Sequence, residues 1–332
     1  MEKPDMYLGA RLEQMEVGVK SGILAWCTLA EDFVKQAIED VERELKSSGL
    51  SLPKRCDGPL PTGYHPEMDT SPELKKAGHT RYQELIGILR WACELGCVDI
   101  QQETSMMSSY LACPREGHLE RLYYMFGYLK KVPKRKLCLD PRYPIIAEES
   151  FVEYEWEDFY RDAKEKIPHD APKPRGAYVT THCFVDANHA GCKKTRKSVT
   201  GVIIFVNSAP VIIYSKKQNT VEASTFGAEF VALRTAVELI EALRIKLRYF
   251  GVPIEGASDV FCDNESVFKN SSTPESTLKK KHLGICYHRA REAVAAGVIR
   301  IAKEHTSTNL ADLLTKSLPF DTRERLLDYF TY

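Results

Sequence analysis

No apolar run in this sequence of 332 residues approaches the length of a membrane span, about 20 residues. The first residues, Met-Glu-Lys-Pro-Asp-Met, lack the zones of a signal peptide. The protein is therefore expected inside the cell. Net charge is also missing: 46 basic and 46 acidic side chains cancel, so only the distribution of charge can speak about partners. Paired Cys-x-x-Cys spacing and matching histidine pairs are absent, although ten cysteines are present, which excludes the usual zinc patterns. Cys93 and Cys97 stand one helical turn apart and could make half a metal site. Nothing nearby completes a tetrahedral set, so reduced apolar thiols are the expectation. What is present, 43% hydrophobic and 28% charged residues, suits a soluble protein large enough for two domains.

The first segment reads as strand (7–13), strand (22–27) and helix (28–48), with Thr28 and Glu31 as a capping box and Gly49 as the stop. A Pro-containing connector follows at 52–78, then helices at 81–112 and 116–131, the second ending before Pro133. Tyr82, Tyr110, Tyr123, Tyr124 and Tyr128 decorate these helices; such spacing suits core packing better than base stacking. An acidic, aromatic and Pro-containing stretch at 144–175, with Trp156, Phe159 and Tyr160, reads as an interdomain strap whose aromatics dock on a neighbour. From Gly176 the signals are strands at 177–186, 199–206 and 210–216, and a helix from about 221 to Gly251. A strand at 260–263, helices at 265–270 and 278–296, a strand at 298–303 and a last helix opened by Asn309 complete the series. A mixed sheet with helices on both faces is the economical packing.

Four acids in this half occupy places that present a carboxylate. Asp186 ends the alternation Val179-Thr-Thr-His-Cys-Phe-Val-Asp186, and Asp263 ends Ser258-Asp-Val-Phe-Cys-Asp263, so two strands deliver them to one sheet edge. Glu229 lies early in a helical pattern of Phe230, Leu233, Val237, Ile240, Leu243 and Leu247. Asp312 falls in the first turn of the helix after Asn309, where a helix dipole favours negative charge. Converging on one rim, they would repel unless cations bind. Lys279, Lys280, Lys281, Arg289 and Arg291 lie on or beside one helix, and Lys193, Lys194, Arg196 and Lys197 form a second basic run. Both could neutralise phosphates or be solvated faces. Ser224 and Thr225 could donate to sugar or phosphate, or cap the helix.

These residues resemble the ribonuclease H domain of copia-type LTR-retrotransposon polyproteins. The resemblance runs through Phe184-Val-Asp-Ala-Asn-His-Ala-Gly191, Arg196-Lys-Ser-Val-Thr-Gly201, Ser215-Lys-Lys-Gln218 and Ala228-Glu-Phe-Val-Ala-Leu233. It continues through Cys262-Asp-Asn-Glu-Ser266, Lys281-His-Leu-Gly-Ile-Cys-Tyr-His288 and Asn309-Leu-Ala-Asp-Leu-Leu-Thr-Lys316. Each motif alone is weak, and the set in family order is specific. Tyr7-Leu-Gly9, Tyr82-Gln-Glu-Leu-Ile-Gly87 and His118-Leu-Glu-Arg121 resemble segments that follow the polymerase centre in the same polyproteins.

The resemblance implies a ribonuclease H-like five-stranded mixed sheet with helices on both faces at 176–320. It implies a smaller, mostly helical thumb or connection-like region of a reverse transcriptase at 1–143, and a tail helix at 321–332. It makes Asp186, Glu229, Asp263 and Asp312 the metal-binding acids for two Mg²⁺ ions, with Mn²⁺ as substitute. The implied reaction is hydrolysis of the RNA strand of an RNA-DNA hybrid. His305, seven residues before Asp312, is placed like the mobile histidine that assists proton transfer or product release, and His189 is a weaker candidate. The implied partners are the hybrid and the polymerase portion of a reverse transcriptase, in a cytoplasmic particle or the nucleus.

Two departures qualify this expectation. No Asp-Asp pair occurs in the sequence, so the polymerase centre is absent and DNA synthesis by this chain alone is not expected. Glu265 stands where the family commonly has Gln, and its charge should weaken contact with phosphates. A catalytically inactive, nucleic-acid-binding remnant is the competing reading, and an integrase-like member of the same fold is a more distant one.

Overall fold

Among the described residues, two sheets organise the chain, one of four strands and one of five. The computed structural model describes residues 5–18, 21–132 and 135–332. Expectations about residues 1–4 and about Pro133 lie outside the described residues. The chain divides into one unit of Met1–Asp140, Cys192–Thr195 and Lys316–Tyr332 and another of Pro141–Gly191 and Arg196–Thr315. Among the described residues, no helix is long and apolar enough to cross a membrane.

In the first unit, β1 (Met6–Tyr7), β2 (Ala10–Glu16), β3 (Leu24–Leu29) and β4 (Lys136–Leu139) pair antiparallel in that order. The helices α1 (Glu31–Ser47), α2 (Lys76–Glu94), α3 (Gln101–Ser108) and α4 (Glu116–Lys131) accompany them. Val34, Ile38, Val41 and Leu45 of α1 recur at steps of three and four, so one stripe enters the core. They join Leu85, Ile86 and Leu89 of α2 and Leu122, Met125, Phe126 and Leu129 of α4. Each such side chain contributes about 1.5–3 kcal/mol on burial. The tyrosines belong to this core: Tyr82 and Tyr128 are fully buried, and Tyr110, Tyr123 and Tyr124 pack against it.

Three local expectations change here. Thr28 lies inside β3 rather than capping a helix, and α1 starts at Glu31 with no side-chain cap. The helix expected over 81–112 is broken after Glu94, where Gly96 takes φ +117° and a Cβ would stand 3.0 Å from Leu137 Cβ and Thr28 Oγ1. That left-handed backbone ends a helix. The chain resumes in a 3-10 turn at Val98–Ile100 and then in α3.

In the second unit the meander β5 (Thr181–Asn188), β6 (Val199–Val206) and β7 (Ala209–Lys217) is antiparallel. The long helix α5 (Thr225–Tyr249) then crosses to β8 (Ser258–Cys262), which pairs parallel to β5. After α6 (Glu265–Ser272) and α7 (Gly284–Ala295), β9 (Ile299–Lys303) pairs parallel to β8. The order is therefore β7-β6-β5-β8-β9, a mixed sheet. Cys183, Val185, Val202, Ile204 and Val260 share a core with Phe230, Leu233, Val237 and Ile240 of α5 and Ala290 of α7. The expected last helix is a 3-10 turn, Leu310–Leu314, which packs on β5 and β6. The chain ends in α8 (Phe320–Leu327), part of the first unit, where the buried Arg323 reaches Glu103 at 2.8 Å and the Asp99 carbonyl at 2.9 Å.

The stretch expected as an interdomain linker is part of the second unit from Pro141 onward. Its side chains bind that unit in several places. Glu165 accepts from Arg244 and Arg248 of α5 at 2.6–3.0 Å, and Tyr249 donates to Asp170 at 3.0 Å. Arg300 of β9 holds Glu148 and Asp259 and lies 4.1 Å from the Phe151 ring centre. Trp156 is buried against the Arg291 guanidinium, 4.8 Å away. Trp156 and Tyr160 of this stretch pack on Arg291 of the same unit, while Phe159 is exposed.

Candidate metal centre

The parallel register of β5 and β8 sets Val185 opposite Cys262, so the next residue of each chain segment, Asp186 and Asp263, comes to neighbouring positions at the same sheet end. Glu229 is the fifth residue of α5. The carboxylates of Asp186, Glu229 and Asp263 come within 4.8 Å of one another. Asp186 and Glu229 are buried and Asp263 is half-buried. Like charges at this spacing repel by about 3–4 kcal/mol per pair at an effective dielectric of roughly 20. A divalent cation offsets that repulsion.

The donor set fits such a cation. All three groups offer carboxylate oxygen, the ligand of Mg²⁺ and Mn²⁺. The neighbouring Cys262 thiol is pushed well up, first by burial and then by the charges of Glu229 and Asp263. It therefore stays protonated and is a poor ligand. Cys93 and Cys97 gather no metal-binding set among the described residues, and burial pushes both thiols up.

Local sequence fixes each acid. Ser224 caps α5 by accepting from the Gly227 N–H at 3.2 Å, the helix-capping alternative for this residue. Gln218 donates to the Ala228 carbonyl at 2.9 Å and to Thr200 at 3.0 Å, tying the first turns of α5 to the sheet beside Glu229. Asn264 caps α6 by accepting from Ser266 and Val267, directly after Asp263. Thr315 donates its hydroxyl to an Asp186 carboxylate oxygen, which fixes the rotation of that carboxylate.

Asp312 lies outside the close set of three. It is buried in the Leu310–Leu314 turn, which is fastened to the sheet by Asn309, Asn188 and Ser215. Gly201, the register partner of Asp186, admits this turn: a Cβ there would stand 2.6 Å from Thr315 Cγ2 and 2.8 Å from the Ala311 carbonyl. Gly201, Gln218, Asn309 and Thr315 all lie in the recognised motifs. Their supporting contacts escape sequence reading because each joins segments distant in the chain.

The other candidates divide. His305 is exposed after β9, with Nδ1 2.8 Å from Ser307 Oγ. His189 Nε2 lies 3.0 Å from the Glu222 carbonyl. Lys279 and Lys281 are exposed, and Lys280 reaches Ser224 Oγ at 2.5 Å over the Phe226 ring. Thr225 is exposed at the start of α5. Arg196 is exposed with φ +56°, while Lys193 and Lys194 belong to the first unit, where the Lys193 N–H donates to Glu67 at 2.6 Å. Arg289 is paired with Glu241. Arg291 does not fit the expected phosphate contact, because it is buried and donates to the carbonyls of Asn270, Thr273 and Pro274 at 2.5–2.9 Å. The Glu265 carboxyl is drawn down to about 2 by hydrogen bonds from Lys303 and Lys269, so its charge is met within the chain.

No family model matches the chain. It is 24% identical over 258 residues to the retrovirus-related Pol polyprotein from transposon RE1 of Arabidopsis thaliana, covering 78% of this chain and 15% of that protein. It is 26% identical over 239 residues to the corresponding polyprotein from transposon TNT 1-94 of Nicotiana tabacum, covering 72% and 15%. The chain thus spans about 15% of the length of these curated relatives. Among solved structures it resembles RNase H1 from Halobacterium salinarum NRC-1, with 19% identity, coverage of 42% of this chain and 95% of that one, and a TM-score of 0.31. The resemblance to copia-type Pol polyproteins is borne out. The five-stranded mixed sheet with helices is the ribonuclease H-like fold class the sequence implied.

Proposed function

We propose that the second unit hydrolyses the RNA strand of RNA–DNA hybrids with two Mg²⁺ ions, for which Mn²⁺ substitutes. The observation that carries this reading is the convergence of Asp186, Glu229 and Asp263, from two strand ends and one helix, within 4.8 Å. These three would hold the ions, and Asp312, on its fastened turn, would complete the set. Bound there, divalent ions supply an acidified water and charge stabilisation at the leaving 3′ oxygen.

The chain's own residues orient and exchange protons. Thr315 holds Asp186 in one rotation, and Gln218 holds the segment bearing Glu229. His305, exposed on its loop, serves proton transfer or product release. Lys279, Lys281 and Arg196, all exposed, contact phosphates, Ser224 and Thr225 at the start of α5 contact sugar or phosphate, and the 2′-hydroxyl marks the strand to be cut. The first unit is read as a thumb or connection-like part that works with the polymerase portion of a reverse transcriptase, in a cytoplasmic particle or the nucleus.

Strand-labelled substrates test the reading. The full chain with Mg²⁺ should cut RNA within a hybrid and leave the DNA strand and duplex DNA intact. Hybrid binding without cutting at saturating Mg²⁺ or Mn²⁺ would contradict it and favour the noncatalytic remnant.

A further inference from the structure

Thr315 is fully buried and ends the turn that carries Asp312. Its hydroxyl lies 3.5 Å from the Ala311 carbonyl, four residues back, the acceptor a threonine in helical backbone ordinarily uses. The closer partner is an Asp186 carboxylate oxygen. The Thr315 backbone carbonyl accepts from Asn188 Nδ2 at 3.0 Å. At the other end of the turn, Asn309 donates to the Val185 carbonyl at 3.0 Å and accepts from the Ala311 N–H at 3.0 Å. The turn is thus fastened to β5 at residues 185, 186 and 188, on both sides of Asp186. No side chain fits at Gly201 across the strand without moving it.

We infer that Thr315 is a positioning residue for divalent-ion binding: it fixes the rotation of the Asp186 carboxylate and, through the same residue, the placement of the turn bearing Asp312. This rests on the reading of these acids as ion ligands. Partners that orient a metal-binding carboxylate typically change metal affinity or activity about 10–100-fold when removed.

The test is calorimetric titration of Mn²⁺ into the full chain, comparing Thr315→Val, Thr315→Ala and Thr315→Ser with the unaltered protein, alongside ion-free thermal melts. Valine and alanine should weaken Mn²⁺ binding about tenfold or more, and serine, which keeps the hydroxyl, should restore it. In cleavage assays the Mg²⁺ needed for half-maximal rate should rise by the same factor while KM for hybrid stays constant. Unaltered Mn²⁺ affinity in the valine and alanine variants overturns the inference. If those two lose the native melt, serine decides: native affinity supports the role, and a tenfold loss overturns it. A chain that binds Mn²⁺ through Asp186, as shown by loss in Asp186→Asn, but cuts no hybrid would refute the nuclease reading while leaving the calorimetry decisive for Thr315.

Discussion

Buried acids meet opposite surroundings in the two units. In the first, Glu103 is held by Arg323 at 2.8 Å, and Asp99 lies 4.0 Å from Arg135. In the second, Asp186 and Glu229 are buried within 4.8 Å of each other and of Asp263. A buried carboxylate beside an arginine has part of its desolvation cost offset by its partner, an architectural arrangement, although burial still raises the Glu103 pKa. Carboxylates clustered within 4.8 Å repel one another until a cation binds, and clusters of interacting titratable groups are candidates for function. The contrast also separates Asp259, which is buried in the second unit but paired with Arg300, from the acids proposed to work.

The largest effect that would sharpen this contrast is catalytic. Glu229→Gln should lower hybrid cleavage about a thousandfold or more, about 4 kcal/mol in barrier. In EDTA the same variant should be more stable to urea than the unaltered chain, because repulsion is relieved; a loss of stability would break the contrast. Arg323→Ala should do the reverse. It leaves Glu103 buried and unpaired, costing about 3–5 kcal/mol in the transition of the first unit, with Mn²⁺ affinity unchanged by calorimetry.

A smaller effect comes from a buried base. His182 is stacked on Phe205 with ring centres 4.5 Å apart, neither ring nitrogen has a hydrogen-bond partner, and burial lowers its pKa to about 4. The unfolded chain takes up this proton below about pH 6.5 and the folded chain only near pH 4. Stability should therefore be level above pH 6.5 and fall as pH drops toward 4, by about 3 kcal/mol in all. Urea titrations across that range should show the slope, and His182→Phe should remove its contribution. Smallest is Gly201→Ala, expected to cost about 1–3 kcal/mol by overpacking and to weaken Mn²⁺ binding by displacing the Asp312 turn.

The regular parts of the second unit were legible because each carries its own period. The expected strand at 199–206 has its observed bounds, since a run of β-branched and apolar residues ends in a turn where Asn207 takes φ +52°. The long helix was placed four residues early, because the sequence does not distinguish the extended approach before the Ser224 cap from a first turn. β4 carries no strand signal of its own: its four residues follow a basic stretch and pair with β3. Arg291 shows the same limit, since helical position places it on a basic face while its partners are carbonyls some twenty residues away in the chain. The acids themselves were legible from strand ends and helix starts. That three come close and Asp312 lies outside their set depends on the depth of a 3-10 turn, which tertiary packing decides.

The most direct test is hybrid cleavage by the full chain and by Asp263→Asn across a Mg²⁺ titration from EDTA to saturation. The account predicts RNA-strand cutting that needs Mg²⁺ and is abolished in the variant at every concentration. Cutting in EDTA, or an undiminished rate in Asp263→Asn, would contradict it.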